Sequence, residues 1–140
     1  MLMSNYKHNV DGKNRLFMPS KFREELGEKF VIAQSIRDRY LRVYSIEEWE
    51  KYIAPIKLLQ RKDSEAILRK LSGNSIEVSP DSQGRIILTP AMIEFAGITK
   101  ETVIIGCGDY AEIWATEVYE EFMAQTDDSA AIEALEAYGL

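Results

Sequence analysis

One stretch occurs twice in the chain, as Asp11-Gly-Lys-Asn-Arg15-Leu-Phe-Met-Pro19 and as Asp81-Ser-Gln-Gly-Arg85-Ile-Ile-Leu-Thr-Pro90. Each copy reads as a polar turn, an arginine at its exit, a short apolar strand and a proline opening a helix. From Asp11 to Asp81, and from Arg15 to Arg85, the offset is 70 residues. The same offset joins Glu24 to Glu94, Gly27 to Gly97, Tyr40 to Tyr110, Glu47 to Glu117 and Glu50 to Glu120. It also joins similar residues, such as Val43 with Ile113, Tyr44 with Trp114 and Trp49 with Tyr119. A register held this long without a gap marks an internal duplication. A repeat of roughly 45 residues buries too little surface to be comfortable alone. Two halves packed on each other with pseudo-two-fold symmetry are therefore expected.

Local signals assign the elements. Tyr6–Val10 reads as a strand, Asp11-Gly12 as a turn and Leu16–Met18 as the returning strand, so residues 6–18 form a hairpin-like unit. Pro19 suits the first turn of a helix that Gly27 stops. Phe30–Ala33 and Tyr40–Tyr44 read as strands joined by the charged turn at Arg37-Asp38-Arg39. Ser45-Ile-Glu-Glu48 is a capping box for a helix with Ile46, Trp49, Ile53 and Ile56 on its apolar face, and Pro55 marks a kink or break. A linker helix through Ile67, Leu68 and Leu71 starts near Asp63 or Ser64 and ends at Gly73. The second repeat follows the same order: strands 75–78 and 85–88, helix 90–96, strands 102–105 and 111–114, and a helix from about Thr116. Asp127 or Asp128 caps a last acidic helix with Ile132 and Leu135 on its apolar side. The expected units are a first repeat at 5–48, linker helices at 49–73, a second repeat at 74–118 and acidic helices at 119–140.

The net charge is −6, and its distribution matters more than its size. Residues 1–70 carry 15 Lys and Arg against 10 Asp and Glu, whereas residues 71–140 carry 2 against 13. A basic half joined to an acidic half can still present one positive face to a polyanion. No apolar run approaches the ~18 residues of a membrane span, and the first residues lack a signal peptide's apolar region. With Cys107 as the single cysteine, no intramolecular disulfide forms, which fits a cytoplasmic protein.

Catalytic constellations are missing from the sequence. His8 is the only histidine, so a His-based metal cluster and a Ser-His-Asp triad with a spare partner are both excluded. Cys107 has no second cysteine at ligand spacing. Gly106-Cys-Gly108 lacks the third glycine and following helix of a dinucleotide fingerprint. No enzyme activity, cofactor or metal is expected. The informative constellation is the repeated Asp-x-x-x-Arg. In one reading Asp11 and Asp81 bond turn N–H groups and pair with Arg15 and Arg85, fixing the turn and nothing more. In the other, each arginine leaves the turn with its fork free for phosphate or a guanine edge. Lys13, Lys21 and Arg23 enlarge the positive surface of the first repeat; Gln83, Ala91 and Ile93 stand at those places in the second.

At this point the chain resembles the MraZ family. The resemblance lies in Asn9-Val-Asp-Gly-Lys-Asn-Arg-Leu16, Pro19-Ser-Lys-Phe-Arg-Glu24, Val43-Tyr-Ser-Ile-Glu-Glu-Trp-Glu50, Asp81-Ser-Gln-Gly-Arg-Ile86 and Ala96-Gly-Ile98. It implies an α+β, β-rich fold: two tandem swapped-hairpin, SpoVT-AbrB-like modules forming one pseudo-two-fold, β-barrel-like core with flanking helices. It also implies a nucleoid-associated transcription regulator that binds short direct repeats in double-stranded DNA upstream of the division and cell-wall gene cluster. Such a regulator would act as a homo-oligomeric ring. The DNA-contacting group maps onto Arg15 and Lys13, with Lys21 and Arg23 beside them, and onto Arg85 in the second copy; Asp11 and Asp81 hold the turns. Two positions depart from the family pattern: Asn14 replaces the usual glycine, and Ile93 stands where many relatives hold arginine. The rival expectation is an oligomeric protein-interaction module of the same fold whose basic turns serve subunit assembly. A third, an enzyme with a site between subunits, is not supported by the residue inventory.

Overall fold

The computed structural model describes residues 1–140. In chain order the elements are β1 (Asn5–Asn9), β2 (Arg15–Phe17), α1 (Ser20–Leu26), β3 (Phe30–Gln34), β4 (Leu41–Ser45), α2 (Ile46–Lys57) and α3 (Arg61–Leu71). After a 3-10 turn at Ser72–Asn74 come β5 (Ser75–Val78), β6 (Arg85–Ile87), α4 (Pro90–Ala96), β7 (Glu101–Gly106), β8 (Ala111–Ala115), α5 (Thr116–Ala124) and α6 (Asp128–Ala137). No helix is long and apolar enough to cross a membrane.

The strands form a six-stranded antiparallel sheet, ordered β1-β7-β8-β4-β3-β5, and a two-stranded ribbon, β2-β6. The local hairpin expected at residues 6–18 does not form. After its turn the chain diverges: β1 pairs with β7 and β2 with β6, both in the other repeat. In the second repeat β5 likewise pairs with β3. The halves exchange strands, and neither can complete its own sheet. The sheet ends at β1 and β5, which do not pair with each other, so the strand pairing does not close a barrel.

Two registers locate the pseudo-two-fold axis. Leu16 faces Ile86 at the centre of the ribbon, and Arg42 faces Glu112 at the centre of the β4–β8 seam. Each pair joins residues 70 apart, so each repeat meets its own equivalent there. The gap-free register expected from the sequence needs one correction. Phe30 stands opposite Ser45, and Thr102 opposite Ala115; Ser45 and Ala115 keep the offset of 70, but Phe30 and Thr102 are 72 apart. The second repeat is two residues longer between Gly97 and Thr102, and two shorter in the turn that follows (107–110 against 35–40). The two changes cancel, and the identity of Tyr40 with Tyr110 hides them.

Alternation along the strands divides the molecule into layers. Phe30, Ile32, Leu41, Val43, Ile104 and Ile113 point inward, into one 19-residue core with Leu16 and Ile86 of the ribbon, Phe22 of α1 and Met92 of α4. On the opposite face, Val31, Ala33 and Tyr44 pack against Ile46, Trp49 and Tyr52 of α2. Val103 and Trp114 pack there against Tyr119 of α5. The ribbon with α1 and α4 forms one layer, the sheet the second, and α2 with α5 the third.

Local signals explain most boundaries. Gly27 and Gly97 end α1 and α4 with φ of 88° and 66°, in the left-handed region that glycine enters without steric cost. Only half of the expected capping box forms. The Glu48 N–H donates to Ser45 Oγ at 3.1 Å, but the Glu48 carboxylate accepts from Lys51 instead of reaching back. Ser45 is already part of the β3–β4 ladder. Helix α2 runs through Pro55 and ends two residues later, so the proline marks its last turn and not a break. Helix α3 starts at Arg61, two residues before the expected cap at Asp63. Asp127 caps α6 by accepting from the Ser129 N–H at 2.9 Å. The expected apolar side of α6 is not covered: Ile132 and Leu135 are 55% and 50% exposed.

Candidate nucleic-acid interface

The ribbon has one buried and one open face, because its side chains alternate. Leu16 and Ile86 point into the core, while Arg15, Phe17, Arg85 and Ile87 share the outer face. Arg15 stands opposite Ile87 and Arg85 opposite Phe17. The two arginines are therefore two residues apart along an antiparallel ladder, roughly 7 Å at about 3.4 Å per residue.

Each arginine is set by its turn. Asp11 Oδ1 accepts from the N–H groups of Lys13 and Arg15, both at 2.9 Å, and Oδ2 accepts from Arg15 Nε at 2.6 Å. The second turn repeats this: Asp81 Oδ1 accepts from Gln83 and Arg85 N–H at 2.9 Å, and Oδ2 from Arg85 Nε at 2.9 Å. The backbone N–H of the arginine acts most strongly on each carboxyl and desolvation opposes it, and with the guanidinium and the second turn N–H added both carboxyls are held below the usual aspartate value. In both turns the fourth residue has positive φ, Asn14 at 60° and Gly84 at 81°. Asparagine is among the few side chains that adopt this conformation readily. The carbonyls of Asn14 and Gly84 then accept from Leu88 and Met18 N–H of the opposite repeat at 2.9 Å, locking the turns to the ribbon ends.

The two readings of Asp-x-x-x-Arg thus coexist. Asp engages only the Nε edge of its arginine, and the Nη1/Nη2 edge has no hydrogen-bond partner within the chain. A planar fork held by one edge and open at the other is suited to bidentate acceptors.

The other basic residues divide. Lys13 is exposed within the first turn. Arg23 leaves α1 and crosses the pseudo-axis: its Nε donates to Met18 O at 2.9 Å and its guanidinium lies 5.4 Å from the Phe17 ring centroid. It also covers Gly84, where an added Cβ would meet Arg23 Cζ at 2.6 Å. Arg23 of the first repeat therefore supplies charge to the second turn, which lacks a lysine at Gln83. Lys21 is not gathered with these groups; it is exposed and lines a cleft with Tyr6, Glu24 and Glu25. Two lysines escaped the sequence reading. Lys29 lines an open cleft with Arg23, Ser79 and Pro80 beside the second turn. The Lys100 carbonyl accepts from Val10 N–H at 2.8 Å, which puts Lys100 next to the first turn. The signal for both was the strand exchange, since each belongs to the repeat opposite the turn it joins.

His8 packs edge-on against Phe17 at 5.0 Å, as a strand side chain. Cys107 is exposed in the β7–β8 turn.

Comparison with known proteins recovers the same duplication. A family profile described as "MraZ protein, putative antitoxin-like" matches residues 1–70 and again 71–137, which is the duplication read from the sequence. The chain is 44% identical to the "Transcriptional regulator MraZ" of Thermoanaerobacter sp. (strain X514), over 92% of this chain and 91% of that protein. It is 41% identical to the protein of the same name from Caldicellulosiruptor saccharolyticus, over 96% and 94% of the two chains. The corresponding figures for the Clostridium tetani protein are 40% identity over 87% of each.

Proposed function

The chain belongs to the MraZ family, and on that premise we propose that it is a sequence-specific, DNA-binding transcription regulator of the division and cell-wall gene cluster. In this reading it engages short direct repeats in the promoter as a ring of identical subunits. The observation that carries the proposal is the ribbon's outer face, where Arg15 and Arg85 are fixed by Asp11 and Asp81 with their Nη edges open. A two-stranded ribbon is of a size that a major groove, about 12 Å wide, admits. Arg15 with Lys13, and Arg85 with Arg23, then contact phosphates and base edges of one duplex segment. Lys21, Lys29 and Lys100 contribute at the margin.

Few basic side chains reach the duplex from one subunit, so a single copy binds weakly. Copies linked in a ring set the same face against successive repeats and raise the effective concentration of each contact. The acidic helix α5 packs on the sheet face opposite the ribbon, which keeps its carboxylates behind the contact surface.

The test is fluorescence anisotropy of a labelled duplex carrying direct repeats from the promoter of the chain's own gene, against a scrambled duplex. Binding is expected to the repeats alone. It is expected to weaken in Arg15→Ala while light scattering shows an unchanged assembly mass. If Arg15→Ala instead dissolves the assembly, the turns serve subunit contacts and the interaction-module reading holds. Equal, feeble binding to both duplexes contradicts the proposal.

A further inference from the structure

The strands expose few side chains, and all but one are polar. Asn5, Lys7 and Asn9 of β1, Glu77 of β5 and Glu101 of β7 face solvent, as does Ile87 of β6. Ile87 is 63% exposed, on the same outer face of the ribbon as Arg15 and Arg85. A lone surface isoleucine ordinarily needs no explanation. This one stands directly opposite Arg15 in the ladder. The Leu88 N–H donates to Asn14 O and the Met18 N–H to Gly84 O, which leaves Arg15 with Ile87, and Phe17 with Arg85, as the non-hydrogen-bonded pairs. Side chains in such pairs lie closest, with Cβ atoms about 4.5–5.5 Å apart. Ile87 therefore lies beside an arginine whose Nη edge is open.

The pseudo-dyad puts Phe17 in the equivalent place, beside Arg85. Phe17 is half-buried: the His8 ring packs on it at 5.0 Å between centroids, and the Arg23 guanidinium lies 5.4 Å from its centre. The residues that would cover Ile87 in the same way, 70 further on, are Val78 and Ile93, and both pack against the core instead. The fold can roof this position, and does so at one end only. We propose that Ile87 is a specificity-determining residue that packs against the C5-methyl group of a thymine in the major groove, adjoining the guanine that Arg15 reaches. The assignment rests on DNA binding through the ribbon and adds a base to what the ribbon reads. Of the bases, only thymine offers a methyl group in that groove, and an apolar side chain is what recognises it. Arginine forks read guanine alike at both ends, so by themselves they suit a two-fold symmetric site. An apolar contact at the Ile87 end alone breaks that symmetry and gives each subunit a direction along the duplex. Repeats in one orientation then suit the surface better than inverted ones.

Uracil substitution tests this, because it deletes the methyl group and leaves every hydrogen-bonding group of the base. The direct-repeat duplex is titrated by fluorescence anisotropy with each thymine of the repeat replaced in turn. Wild type is expected to lose about fourfold in affinity at one position per repeat, the worth of one buried methyl group, and to ignore the others. Ile87→Ala is expected to bind the thymine duplex more weakly, to remain dependent on Arg15, and to be indifferent to uracil at that same position. If wild type binds the repeats but tolerates uracil at every position, the assignment is overturned and the regulator reading stands. An Ile87→Ala chain that keeps the wild-type response to uracil overturns it equally. Should that response persist while light scattering shows a changed assembly mass, Ile87 is a subunit contact and not a reader of DNA. Equal, feeble binding of wild type to repeat and scrambled duplexes overturns the DNA-binding reading itself, and this assignment with it.

Discussion

Asn14 and Gly84 occupy equivalent places with positive φ, yet one carries a side chain and the other cannot. The difference follows from what lies above each. Arg23 covers Gly84 at a distance no Cβ would tolerate, and the pseudo-axis gives Ile93 the same relation to Asn14. Within the chain the two places are thus a matched pair: glycine lies under the arginine, and asparagine goes with isoleucine. Coupling is therefore expected. Ile93→Arg alone should destabilise the fold, and Ile93→Arg with Asn14→Gly should recover most of the loss. A double-mutant cycle by thermal unfolding reads this, and additive effects would contradict it. Gly84→Ala should cost about 1–2 kcal/mol from the left-handed backbone alone and should also displace Arg23. The turn aspartates make a pH prediction. Their carboxyls are held below the ordinary value of 3.8. A depressed pKa stabilises the fold above 3.8, and that contribution is lost as pH falls through the native value. Melting temperature should therefore drop on acidification through this range, and Asp11→Asn with Asp81→Asn should flatten the drop.

At the scale of elements, much was legible in the sequence because the signals were local. Pro19, Gly27, Ser45 and Gly97 placed helix ends within a residue or two, and short apolar runs either side of the charged turn at Arg37-Asp38-Arg39 identified Phe30–Ala33 and Tyr40–Tyr44 as strands. Partners were not legible. Periodicity says that residues 6–10 form a strand but carries no information about which strand they join, and β1 pairs with β7 nearly a hundred residues away. The two-residue shift between β3 and β7 escaped because compensating loops restore the offset before Tyr110. Arg23 was readable as a basic residue on a helix, but its crossing to Gly84 depended on the exchange. The ribbon holds the exchanged halves together at its centre, where Leu16 is fully buried and Ile86 1% exposed. Leu16→Ala is expected to cost about 2–5 kcal/mol, as for other large-to-small core changes, and to be measurable by denaturant titration. A loss under about 1 kcal/mol would mean that the ribbon adds little to the core.

The whole molecule separates its tasks by face. The ribbon presents two dyad-related arginines on one side of the sheet; α2 and α5 lie on the other, followed by a basic and an acidic helix. A net charge of −6 describes neither surface, which is why the half-by-half balance was the more useful quantity. The central claim is that both turns present their arginines to one duplex. The most direct measurement is the salt dependence of binding to the direct-repeat duplex for wild type, Arg15→Ala and Arg85→Ala. Each phosphate neutralised contributes about 0.9 to the slope of log affinity against log salt. Each substitution is expected to lower the slope by about 0.9 for every phosphate that its arginine neutralises, and by the same amount at both turns. A slope unchanged in both variants would contradict the account.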